Sequence, residues 1–376
     1  MESFGLWYLL EERVVQDTEN TSTKGEIRNV EKPSIEEPSI DLHVNFWSLE
    51  DNQTKNKKLP YLDIGIKIEN YKLLRKMTFF CPFIVEYENV EDLSTKMAVK
   101  NNANIVFNTD CDIHTRENYT IIELSDTEKI LVFPLDQVIK DVYSVKSGKD
   151  NESTQIEFDF INFKKYINSD SELEHYDKIY IRFRITGKKL KDNIYFDNEP
   201  INKSFESAFS GTRMIDFRIN EKRTIDEKIR AEIIVEHEEF AKFRHVHFLA
   251  MEPSSYEVKS FDNLKMSCRE LEEGLWDDYF GEKINFSKGH ILAYHWKKDN
   301  ADNGFNCLVK VNYSKTKISV IFAYALIVVA LGIIGSAVVT LFDSLISDTM
   351  YAMVGAFFLA ILLIIIGILI GKKITH

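Results

Sequence analysis

Apolar and polar residues alternate along much of this chain. Leu42-His43-Val44-Asn45-Phe46 is one such run, and Leu62-Asp63-Ile64-Gly65-Ile66-Lys67-Ile68 is another. Period two with β-branched and aromatic residues predicts half-buried antiparallel strands. The same reading predicts strands over 77–86, 103–108, 119–123, 129–134, 155–162, 178–186, 213–219, 243–250, 290–297 and 306–313. Helical spacing is rarer and predicts helices over 223–238 and 264–279, with a further helical reading for 3–15. The polar stretch 16–40 holds Pro33 and Pro38 and reads as a flexible linker after an N-terminal segment 1–15. A polar break near 150 divides the rest into β-rich regions 41–150 and 151–314. The predicted class is mainly β (α+β), a cytosolic sandwich or barrel-like domain.

The C-terminal pattern is different. No charged residue occurs in 318–342 or in 350–370. A bilayer crossing takes roughly 20 apolar residues for about 30 Å of hydrocarbon. The two runs therefore predict a transmembrane hairpin. Lys315, Lys317, Lys372 and Lys373 flank it outside, while the connecting residues carry Asp343 and Asp348 and no base. By the excess of basic residues on cytoplasmic flanks, both termini face the cytoplasm of a multi-pass protein in a bacterial inner membrane. The first residues lack the long apolar core of a signal peptide. Cys81, Cys111, Cys268 and Cys307 are widely spaced, as suits a reducing compartment.

Charge narrows the partners. Lys and Arg total 47 against 59 Asp and Glu, a net of −12. A general phosphate-backbone binder is basic, so any polyanion site here is a local patch. The candidate is Arg182, Arg184, Lys188 and Lys189, with Arg182 and Arg184 on one strand face. Arg213, Asp216, Arg218 and Asn220 follow. Arg offers a bidentate fork and Asn reads base edges, so this group suits a nucleotide or a short single-stranded nucleic acid. A solvated face laced with ion pairs is the competing reading.

Gly332, Ser336, Thr340 and Asp343 fall on one face of the first C-terminal run. They would either line a pore in a homo-oligomer or pack helices together. Asp110, Asp112 and His114 share a strand face, but no further ligand group joins them, so no metal and no cofactor is assigned. His245 and His247 also share a face and read as an edge-strand pair. Phosphate-loop, nucleophile-elbow, HExxH and dinucleotide-binding signatures are all missing, which leaves no catalytic residue to name.

The plan of a soluble sensor domain followed by 318–370 resembles bacterial anti-phage membrane effectors, above all the effector of Hailong-type systems. That resemblance implies an oligomeric channel in the lipid bilayer, governed by a short single-stranded DNA from a partner nucleotidyltransferase. It carries no site residue across. The expectation is a membrane-anchored antiviral effector whose cytosolic β domain senses a nucleotide or short nucleic acid and controls an oligomeric pore. The alternative is a tail-anchored adaptor that binds a protein partner.

Overall fold

The computed structural model describes residues 2–11, 37–49, 60–147, 151–168, 171–197, 210–261, 264–281, 283–285, 290–314, 318–344, 357–358, 360–366 and 368–369. Its strands are β1 (Gly5–Leu10), β2 (Ser39–Trp47), β3 (Tyr61–Glu69), β4 (Leu74–Cys81), β5 (Val90–Asp92), β6 (Asp112–Thr115), β7 (Thr120–Ser125), β8 (Glu128–Val132), β9 (Ile139–Ser147), β10 (Asn151–Asp159), β11 (Lys178–Thr186), β12 (Tyr195–Asp197), β13 (Ser210–Ile219), β14 (Glu239–Phe240), β15 (Phe243–Pro253), β16 (Glu257–Ser260), β17 (Met266–Glu270), β18 (Ile291–Ala301) and β19 (Phe305–Ser314). The helices are α1 (Ser94–Met97), α2 (Lys100–Phe107), α3 (Leu135–Val138), α4 (Phe160–Asn168), α5 (Lys188–Asn193), α6 (Glu227–Val235), α7 (Asp277–Phe280) and α8 (Ile318–Ser344).

The chain divides into two compact units. The first is Met1–Phe196, Met214–Ser254 and Lys259–Val309; the second is Asp197–Arg213, Ser255–Val258 and Lys310–His376. Residues on both sides of the break expected near 150 belong to the first unit, where β9 and β10 pair antiparallel.

A ten-stranded sheet dominates the first unit, in the order β17-β18-β15-β2-β3-β11-β8-β7-β6, with β5 on β11. At its centre β2 runs parallel to β15 and antiparallel to β3. One face is apolar: Leu42, Val44, Phe46, Ile64, Ile66, Ile68, Phe183 and Phe248 are all fully buried. A five-stranded sheet, β14-β1-β4-β10-β9, lies against that face. Phe183 of the large sheet meets Phe79 of β4 at 5.5 Å and Phe158 of β10 at 6.0 Å between ring centroids. This is the sandwich that period-two patterning demands, because a sheet with one apolar face must bury it. A third sheet has the order β12-β13-β19-β16.

The opposite face of the large sheet is polar but only partly open. Two apolar clusters cap it. Trp276, Tyr279 and Phe280, from α7 and the turn before it, pack with Trp47, Tyr61 and Met251. Met97 and Ala103, from α1 and α2, pack with Ile122, Val132 and Tyr180.

Several expectations need correcting. Residues 103–108 form most of α2 rather than a strand, and 3–15 holds β1 rather than a helix. Over 264–279 there is exposed strand β17, and α7 begins only at Asp277. Most of 16–40 lies outside the described residues, while its last residues already belong to β2.

The largest correction concerns 318–370. Among the described residues, no helix is long and apolar enough to cross a membrane. The second run is helical over 357–358, 360–366 and 368–369, and the connecting residues 345–349 lie outside the described residues. The transmembrane hairpin, the ion channel and the multi-pass inner-membrane localisation are overturned on that finding.

Candidate functional site

The polar face of the large sheet holds a cleft of about 550 Å³, lined at its centre by His43, His247, His295, Lys67 and Arg182. Strand register explains why these residues meet. His43 of β2 sits opposite His247 of parallel β15 on one side and Gly65 of β3 on the other. Gly65 in turn sits opposite Arg182 of β11. Residues directly opposite in a ladder project to the same face, so three strands deliver a continuous row.

Gly65 keeps that row open. A Cβ there would lie 2.7 Å from Tyr180 Cζ and 2.9 Å from Arg182 Nη1. Its absence lets both side chains lie across β3 toward β2.

Arg182 is 1 % exposed. Its Nε donates to the Tyr279 hydroxyl at 2.8 Å and its Nη1 to the Tyr180 hydroxyl at 2.7 Å. The Asn45 amide, oriented so that both its ends are satisfied, accepts from Nη2 at 3.0 Å. These bonds use three of the five guanidinium donors, and every acceptor is neutral. Burial opposes the charge of Arg182, but the electrostatics of Tyr180, Tyr279 and Asp63 outweigh it and hold the guanidinium above its ordinary pKa.

Arg184 is also 1 % exposed but is committed differently. Its Nε and Nη2 donate to the fully buried Asp63 at 2.6 and 3.1 Å. The Tyr279 hydroxyl and the Trp47 indole donate to the same carboxylate at 2.8 and 2.9 Å. Asp63 thus neutralises Arg184, and Arg182 keeps its positive charge at the cleft wall.

The histidines form a stack. His43 and His247 are 5.2 Å apart at 84°, and His247 and His295 are 5.1 Å apart at 8° between planes. His247 Nδ1 and His295 Nε2 share a hydrogen bond of 3.0 Å. Arginine can only donate, so the Tyr180 oxygen accepts from Arg182 at 2.7 Å, and the same hydroxyl shares a hydrogen bond of 3.3 Å with His43 Nδ1. Burial, then neighbouring positive groups, lowers all three pKa values: His43 well below its ordinary range, His247 to about 4, and His295 in the same direction. The imidazoles are neutral at neutral pH.

The rim adds further groups. Lys67 Nζ lies 3.9 Å from Asp41 and contacts Glu128. Asp41 is gripped by Arg244, whose Nε and Nη2 donate at 2.9 and 2.7 Å. Exposed β17 contributes Cys268 and Arg269, and α2 contributes Phe107. Trp276 also lines the cleft, and its buried indole N–H finds no hydrogen-bond acceptor among the described residues.

Of the ligand-binding residues predicted from the sequence, only Arg182 lines this cleft; His247 and Cys268, singled out there on other grounds, line it too. Lys189 is exposed on α5; the Lys188 side chain lies outside the described residues. Asp216 and Arg218 satisfy each other through bonds of 2.8 and 2.7 Å. Asn220 is a structural clamp. Its amide accepts from Leu6 N at 2.7 Å and donates to the carbonyls of Leu6 and Ala241 at 3.0 and 2.9 Å.

In the second unit, Arg213 donates to Asp197 at 2.9 Å and lies 4.3 Å over the Tyr313 ring. On α8, Gly332 and Ser336 are exposed, and Thr340 Oγ1 donates to the Ser336 carbonyl at 2.7 Å, an intrahelical bond. The Asp343 side chain lies outside the described residues. Lys100 sits 3.3 Å from Asp110 and 3.0 Å from Asp112, and His114 lies 3.5 Å from Glu123. His247, read as an edge-strand partner of His245, instead occupies a central strand.

No family model matches the chain. No curated protein matches it either. Among solved structures, a Fcho1 Mu homology domain from Danio rerio with a bound Eps15 peptide is similar at 8 % identity. That match covers 74 % of this chain and 79 % of the other, with a TM-score of 0.13. At that score it carries no argument about fold or function.

Proposed function

We propose that this chain is a ligand-sensing protein whose β-sheet cleft binds an anion of the nucleotide class, either a nucleotide or the end of a short single-stranded nucleic acid. The observation that carries the reading is Arg182, a buried cation at the cleft wall whose three bonded acceptors are all neutral. A buried charge is costly without a counter-charge, and an anionic ligand supplies one. Arg269 adds positive charge at the rim, and Lys67, already paired with Glu128, lines the same cleft. The imidazole stack and Phe107 offer flat surfaces for a base. A volume of about 550 Å³ suits one nucleotide unit. The chain's overall acidity agrees with a local site rather than a general affinity for nucleic acid.

The test is titration calorimetry of the full-length protein with nucleoside mono-, di- and triphosphates and short oligodeoxynucleotides. Arg269→Gln is exposed and should fold normally, and losing a charged hydrogen bond should weaken binding about tenfold. Lys67→Met should act in the same direction. Absence of binding across the panel at millimolar ligand, or affinities untouched in both variants, would end this reading.

A further inference from the structure

Positive groups crowd the histidine cluster from several strands. Arg182 and Lys67 act on His43, Lys297 and His245 on His247, and Lys297 and Arg269 on His295. Two acids lie within reach. Asp41 is taken by Arg244 and faces Lys67. Asp299 is held at 2.6 Å by His245 and at 2.9 Å by Lys297. Asp41 favours a charged His247, but both acids are already shared with other bases, and an entering anion adds negative charge of its own.

The three rings are not equivalent. His43 Nδ1 is engaged with the Tyr180 hydroxyl, which itself accepts from the Arg182 guanidinium. A further proton on His43 would sit beside that buried cation. The His247–His295 pair has no such bar. One hydrogen lies between Nδ1 and Nε2 at 3.0 Å, and the outer nitrogens, His247 Nε2 and His295 Nδ1, hold one more hydrogen and one lone pair between them. A proton on that lone pair turns a neutral N–H···N bond into a charge-assisted one, which is shorter and stronger.

We propose that the His247–His295 pair takes up one proton from solvent when an anion enters the cleft, so that ligand binding is linked to pH. This rests on the reading of the cleft as an anion site and specifies how that site is regulated. An anion beside the pair favours its charged form. Reciprocally, the protonated pair holds the anion more tightly, so affinity rises as pH falls.

The test uses two probes that do not titrate between pH 5.5 and 7.5: inorganic sulfate and a thymidine dinucleotide. Full-length protein is titrated calorimetrically in two buffers of different ionisation enthalpy. The expected result is uptake approaching one proton per bound anion, with affinity rising by up to about tenfold per unit of pH lowered. His295→Gln keeps a hydrogen-bonding side chain but cannot form the pair's cation; it should still bind, with uptake abolished. Binding with heats independent of buffer, or uptake preserved in His295→Gln, overturns the proton linkage and leaves the anion site standing. Failure of both probes to bind at every pH removes the anion site itself.

Discussion

Asp63→Asn is the sharpest test of how this site is built. Asp63 is fully buried and accepts from Arg184 twice, from Tyr279 and from Trp47. Replacing the carboxylate with an amide strands the Arg184 guanidinium as an uncompensated buried charge, which costs about 3–5 kcal/mol. It also turns an amide N–H toward groups that can only donate, and one lost buried partner costs about 1–3 kcal/mol. These overlap, so about 4 kcal/mol is expected in all. With a urea slope of about 2 kcal/mol/M, the unfolding midpoint should fall by about 2 M. Trp47 is itself bonded to Asp63, so tryptophan fluorescence reports the transition. Arg184→Met on top of an apolar residue at 63 removes the stranded charge and should recover most of the loss, giving a coupling energy of about 2–3 kcal/mol. A midpoint shift below about 0.5 M for Asp63→Asn, or no recovery in the double variant, would refute the account of Arg182 as the cation left over for a ligand.

Other tests follow from the same geometry. Gly65→Ala pushes a methyl group against Tyr180 and Arg182 and should cost about 1–3 kcal/mol while weakening nucleotide binding, measured by melting and titration of the same sample. Asn220→Ala removes two bonds to Leu6 of β1 and one to Ala241, at a positive φ of 54° that asparagine tolerates better than alanine. It should cost about 2–3 kcal/mol and speed amide exchange at Leu6. His247, with its pKa lowered to about 4 in the folded state, binds protons less readily there than in the unfolded chain. Stability should therefore fall as pH drops from about 6.5 toward 4. His247→Asn should flatten that arm of the pH–stability curve.

Strand parity made part of this legible in the sequence. It put Arg182 with Arg184, and His245 with His247, on shared faces, and the structure keeps both pairings of face. It did not show that Asp63 would claim Arg184 and leave Arg182, because that choice depends on cross-strand register. His43 and His295 gave no local signal; they become neighbours of His247 only through the β2–β15 and β15–β18 pairings. Run length misled elsewhere. Residues 103–107 are apolar enough for a strand yet lie in α2, the known ambiguity of short apolar runs. At 264–279 the helical spacing was overridden by the pairing of β17 with β18.

The parallel union of β2 with β15 also has a consequence for synthesis. His43 leaves the ribosome some two hundred residues before His247, and His295 later still. The edge of β2 that β15 will take therefore stays unpaired while the rest is translated. Long-separation pairing of this kind slows folding and exposes an unfinished edge to other chains. A product stalled before His247, however well folded its early hairpins, would lack the cleft altogether.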